Sequence, residues 1–147
     1  METTLDRTNH LDPASTGKAR ATRRGWAGIA LSGLAVAFLA LDGAIKLVPI
    51  QPVVEAFQHL GIPLQLAGSI GLLQLACLAL YVLPRTAPLG ALLLTGFLGG
   101  AIATHLRVAD PLFSHTLFPI YVAILLWGGL ALRDPRPLAL LRGAAAR

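Results

Sequence analysis

Apolar positions along the chain fall into four long blocks, each bounded by prolines or short polar breaks. The first, 26–48, follows the basic tract KARATRRG and stops at Pro49, and the second, 64–83, lies between Pro63 and Pro84. The third, 88–106, opens on Pro88; the fourth, 111–132, opens on Pro111 and is broken by RDPRP. A bilayer core about 30 Å thick is crossed by about 20 helical residues. The blocks therefore predict an all-α integral membrane four-helix bundle over 26–133, with short connections. Residues 1–25, METTLDRTNHLDPASTGKARATRRG, carry no apolar periodicity and read as a disordered basic tail. Residues 134–147 read as a second basic tail.

Basic residues in short loops stay preferentially on the cytoplasmic side. Lys18, Arg20, Arg23 and Arg24 precede the first block, Arg85 lies between the second and third, and Arg133, Arg136, Arg142 and Arg147 follow the fourth. Both termini are then expected in the cytoplasm, with the 49–63 and 107–110 connections outside. A cleaved signal peptide competes for the first block, whose apolar part is compact and alanine-rich. Against it stand a long leader and the want of a clear A-x-A site after the run.

Composition agrees with lipid as the solvent: 55% of the 147 residues are hydrophobic and 13% charged, where a soluble domain has roughly 25% charged. The net charge of +5 raises nucleic acid as a partner. The basic residues lie between the apolar blocks, however, and leave no lipid-free face to carry such a surface. Cys77 is the single cysteine, so one chain can build neither a disulfide, a C-x-x-C pair nor a thiolate zinc site.

Polar residues inside the blocks carry the functional interest. Asp42 lies sixteen residues beyond Trp26, roughly 24 Å along the helix and in its outer third. A carboxylate at that depth needs compensation, and Lys46 stands four residues on, the spacing that puts an acid and a base on one face. The pair either lines an outward cavity or satisfies itself. Gln74 falls near the middle of the second span and needs a partner on another helix or a ligand. Asp110-Pro111 has the form of a helix start, with Asp as N-cap, and Ser114 is a competing cap. His105 and His115 leave and re-enter the membrane at the same face, which suits a metal, a bis-histidine haem or a hydrogen-bonded cluster. No third ligand stands at a recognisable spacing, so neither a metal nor a cofactor is expected. Gly96 and Gly100 form a G-x-x-x-G pair for close helix packing, within the bundle or against a second copy.

All these ionisable groups, together with Glu55, His59 and Arg107, map to one end. The expectation is a single polar pocket there, built from Asp42, Lys46 and Gln74 on one side and His105, Arg107 and His115 on the other.

The segment YVLPRTAPLGALLLTGFLGGAIATHLRVADPLFSHTLFPIYVAILLWGGLALRD, residues 81–134, resembles the DoxX-like family of small four-helix bacterial membrane proteins. FLALDGAIKL and GIPLQLAGSIGLLQLACLALY fit the same pattern, so the likeness covers roughly 27–142. It is specific in PRTAPLGA, GGAIATHLR and DPLFSHTLFP. The resemblance implies a multi-pass protein of the bacterial plasma membrane, in a group whose namesake is a membrane subunit of a thiosulfate:quinone oxidoreductase. It also implies a glutamate on the second helix where this chain has Gln74, a departure that removes a titratable group. With no redox centre legible in the residues, the expected role is a non-catalytic accessory subunit of a quinone-linked membrane redox system, binding a quinone-like molecule. Its partners would be lipid, a redox subunit or a second copy. A small transporter and a ligand-free structural scaffold are the alternatives.

Overall fold

The computed structural model describes residues 13–133, with side chains from Arg24 onward. Five helices follow one another: α1 (Pro13–Leu47), α2 (Gln51–His59), α3 (Ala67–Val82), α4 (Ala87–Arg107) and α5 (Phe118–Arg133). There is no strand among the described residues. Four stretches, Arg24–Leu47, Leu64–Val82, Ala87–Arg107 and Leu112–Arg133, are long and apolar enough to cross a membrane. The chain is a multi-pass membrane protein, and these spans coincide with the four predicted blocks to within a few residues.

The departures lie at the ends. α1 begins at Pro13, not at Trp26, so residues 13–25 continue a helix where an irregular tail was expected. Alanine, lysine and arginine, frequent there, are strong helix formers, and proline suits a first helical turn. The remainder of that tail, 1–12, and the C-terminal tail, 134–147, lie outside the described residues. The fourth block is not one α-helix: a π turn over Leu112–Thr116 precedes α5. Pro119 falls in the first turn of α5, where no backbone donor is missed, so it does not kink the span.

The spanning helices pack as a ring in the order α1, α3, α4, α5 and back to α1. Lipid tails are as apolar as leucine, so close packing and interhelical hydrogen bonds hold such a ring together. Leu39, Tyr81, Leu94, Leu126 and Leu130 fill its centre and are almost fully buried. Ser32 Oγ donates to Tyr81 Oη over 3.0 Å and Tyr81 Oη to the Leu126 carbonyl over 2.8 Å, joining α1, α3 and α5. Glycine makes the closest approaches: a Cβ at Gly129 would lie 2.7 Å from Ser32 N, and one at Gly90 2.2 Å from Tyr81 N. Gly96 and Gly100 do not serve this purpose, since nothing lies within 4 Å of a Cβ at either. Packing inside the bundle, one of the two roles expected for that pair, is therefore excluded; both face away from the ring.

α2 was not foreseen. Val53 and Phe57, four residues apart, are buried, whereas Gln51, Glu55, Gln58 and His59 face outward. With Ala67 and the flanking Ile45, Ile62 and Ile70, the two apolar side chains form a second small core. It lays α2 across the ends of α1 and α3 that lie away from the termini. This end is called distal below.

Candidate functional site at the distal end

Apart from Glu55, which accepts from Gln51 Nε2 on the outer face of α2, the ionisable side chains of the distal end form two groups. In the first, between α1 and α3, Lys46 Nζ donates to Asp42 Oδ2 and, over 3.2 Å, to Gln74 Oε1. Gln74 Nε2 donates to Asp42 Oδ2 over 2.8 Å and to the Leu39 carbonyl over 2.9 Å. The i,i+4 spacing on α1 brings the charged pair together, and α3 delivers the fully buried amide. The lysine, the amide and one carboxylate oxygen are all engaged within the triad, so it reads as the self-satisfied alternative: a polar lock between two helices.

The second group joins α2 to the end of α4. Asp110 accepts from His59 Nε2 on Oδ1 at 2.7 Å and from His105 Nδ1 on Oδ2 at 2.6 Å. Its side chain is 8% exposed, against 60% for His59 and 23% for His105. Asp110 is thus not a helix N-cap: Pro111 holds that place, without a side-chain cap bond. Ser114, the rival cap, pairs instead with His115 Nδ1 at 2.8 Å. The turn that presents the carboxylate passes through Ala109 at φ 56°, a left-handed conformation uncommon for a residue other than glycine. Arg107 donates to the Leu60 carbonyl, a second tie between α4 and the α2 connection. The His115 ring lies 6.0 Å from that of His105.

No hydrogen bond joins the two groups among the described residues. The expected single pocket is accordingly divided: Asp42, Lys46 and Gln74 converge on the α1–α3 seam, while His105 and His115 meet beyond α4 and Arg107 turns toward α2. The ring order explains this, because α1 packs on α3 and α5 and lies across from α4. Two residues gain weight. Asp110 had been explained as a cap, and His59, 51 positions away from it in sequence, carries no local signal of the partnership. Among the described residues no three His, Cys, Asp or Glu side chains are placed to hold a metal ion.

The hydrogen bonds from His105 and then His59 hold the Asp110 carboxyl below its ordinary value of 3.8. A folded value below the unfolded one means that the clamp's contribution is whole above the ordinary value and is lost as pH falls through the folded value. The thermal advantage of the wild type over Asp110→Asn should therefore shrink as pH falls below about 4. Melting curves of the two proteins against pH test this. An advantage that does not shrink in acid would show that ionisation of Asp110 contributes nothing.

A cavity of about 310 Å³ runs along the α4–α5 seam, lined by Leu98, Gly99 and Ile102 on one side and Ile120, Ala123 and Ile124 on the other. Trp127 Nε1 donates to Thr95 Oγ1 over 2.9 Å at its far end.

A family model described as the DoxX-like family matches residues 30–129. No curated protein and no solved structure matches the chain.

Proposed function

The chain belongs to the DoxX-like family, and from that premise we propose that it is an accessory subunit of a membrane redox system that docks a quinone-like molecule at its distal end. Both termini lie in the cytoplasm, as the loop charges favour, and the distal end faces the outer side of the bacterial plasma membrane. The observation that carries this reading is the Asp110 clamp. A carboxylate held between His59 and His105 sets the tautomer and orientation of both rings, which leaves His105 Nε2 as a fixed acceptor at the edge of the bundle. A neutral head group with a hydroxyl to donate suits such an acceptor. Electrons would come from a partner subunit, and the protein's part is to hold the molecule in place.

A small permeation unit draws support only from the Asp42–Lys46–Gln74 triad. No polar path continues from that triad, since Leu94, Leu126 and Leu130 fill the ring toward the other end.

Mass spectrometry of gently purified protein should find a quinone retained in near-stoichiometric amount, falling at least tenfold in His105→Ala while the variant remains folded. No retained quinone, or equal retention by both proteins, overturns the proposal.

A further inference from the structure

Charge divides the molecule by its ends. Among the described residues all three carboxylates, Asp42, Glu55 and Asp110, belong to the distal end. The opposite end, where α3 and α5 finish and α4 begins, carries Arg24, Arg85 and Arg133 and no described carboxylate. Asp134, next in sequence, lies outside the described residues. The preference of basic residues for one side of a membrane accounts for arginines at that end. It does not account for one of them standing on an aromatic ring.

Arg133 stands so. Its guanidinium carbon lies 5.0 Å from the centre of the Tyr81 ring, within the roughly 6 Å of a cation–π contact. Tyr81 is fully buried and fixed through Oη to Ser32 and to the Leu126 carbonyl, so the ring is a rigid platform for the cation. The planar fork of N–H donors that a guanidinium presents forms no ion pair among the described residues. Arg107 at the distal end is the contrast, since it is committed to the Leu60 carbonyl.

The other two arginines belong to elements that pack around the same ring. A Cβ on Gly28, one turn beyond Arg24 on α1, would lie 2.9 Å from Arg133 N. Arg85 stands in the α3–α4 turn, four residues after Tyr81, and Thr86 folds that turn back on α3 by donating from Oγ1 to the Leu80 carbonyl over 2.8 Å. Arg24, Arg85 and Arg133 are all exposed.

We propose that this end of the bundle binds a phosphate group, with the Arg133 fork as its main contact and Arg24 and Arg85 supplying the surrounding positive field. A guanidinium held by its face can meet two phosphate oxygens with its edge, and three cations from three elements suit an anion with several charged oxygens. The site lies at the end opposite the docking region and stands independently of that reading. The phosphate belongs either to an anionic phospholipid or to a soluble molecule, and the test separates the two.

Native mass spectrometry of the full chain, titrated in detergent with phosphatidylglycerol and separately with phosphatidylcholine, reads the lipid arm. Thermal unfolding with and without inorganic phosphate reads the soluble arm. Phosphatidylglycerol should bind at least tenfold more tightly than phosphatidylcholine, whose choline offsets its phosphate. Arg133→Lys keeps the charge and loses the fork, and should weaken that binding at least fivefold. Arg85→Gln, at an exposed turn position, should weaken it at least threefold, and against Arg142→Gln it decides the matter if Arg133→Lys does not fold. Arg142→Gln removes the same charge from the C-terminal tail and should change binding less than twofold. Inorganic phosphate that stabilises the wild type but not Arg133→Lys, while the two lipids bind alike, supports the site with a soluble molecule as the source. Undiminished binding by Arg133→Lys overturns the proposal, as does a loss in Arg142→Gln equal to that in Arg85→Gln, which reduces the site to diffuse charge. A wild type that neither prefers phosphatidylglycerol nor responds to phosphate overturns it as well.

Discussion

Gly90→Ala should lower the stability of the bundle by about 3 kcal/mol, the upper end of what an inserted methyl costs in a packed interior. The added carbon would lie 2.2 Å from Tyr81 N and 2.5 Å from Tyr81 Cα. Both are backbone atoms, so no side-chain rotation relieves the overlap and α4 must move away from α3. Tyr81 is fully buried and hydrogen-bonded to Ser32 and to the Leu126 carbonyl, so the displacement reaches α1 and α5 as well. Gly96→Ala is the matched control: its Cβ meets nothing within 4 Å, and alanine is favoured over glycine in a helix by roughly 1 kcal/mol. Thermal unfolding in a mild detergent should show a large loss for the first variant and none for the second. Equal shifts would mean that the α3–α4 approach is looser than described.

The second large effect is expected at Lys46. Lys46→Met removes the cation from the Asp42 carboxylate and leaves Gln74 Nε2 as its main side-chain partner. An uncompensated carboxylate costs about 2.5–3.5 kcal/mol at the centre of a membrane and less toward its edge. Asp42 lies near the distal end and is 33% exposed, so a loss of about 2 kcal/mol is expected. Asp42→Asn with Lys46→Met should recover most of it, because a charge pair replaced as a unit leaves no lone charge behind. Unfolding of the two variants side by side is the measurement. A double variant as unstable as the single would show that the pair itself, and not the stranded carboxylate, sets the cost.

The spans were legible because composition and block length suffice for them, and Asp42 with Lys46 because both stand on one helix at a known spacing. Gln74 was legible as a residue in need of a partner, although not as the third member of that pair, since only the fold brings α3 to α1. Asp110 misled because Asp-Pro is a frequent helix opening, and a carboxylate that reaches His59 has no local signature. α2 escaped because its nine residues hold a single apolar repeat, Val53 and Val54 with Phe57, too short to mark a period. The glycines show the same limit: Gly96 and Gly100 have the familiar spacing and pack on nothing among the described residues, while Gly90 and Gly129, without it, carry the close contacts. Which glycine faces a neighbour depends on helix rotation about its own axis, and a single sequence does not encode that locally.

The exposed rim of the α4–α5 cavity, Ile120 and Ile124, sets the terms on which any occupant is measured. A molecule that arrives through the hydrocarbon never crosses bulk water, so its occupancy follows its mole fraction among the lipids. Dilution of the aqueous phase would leave such a complex intact, while added vesicles would strip it.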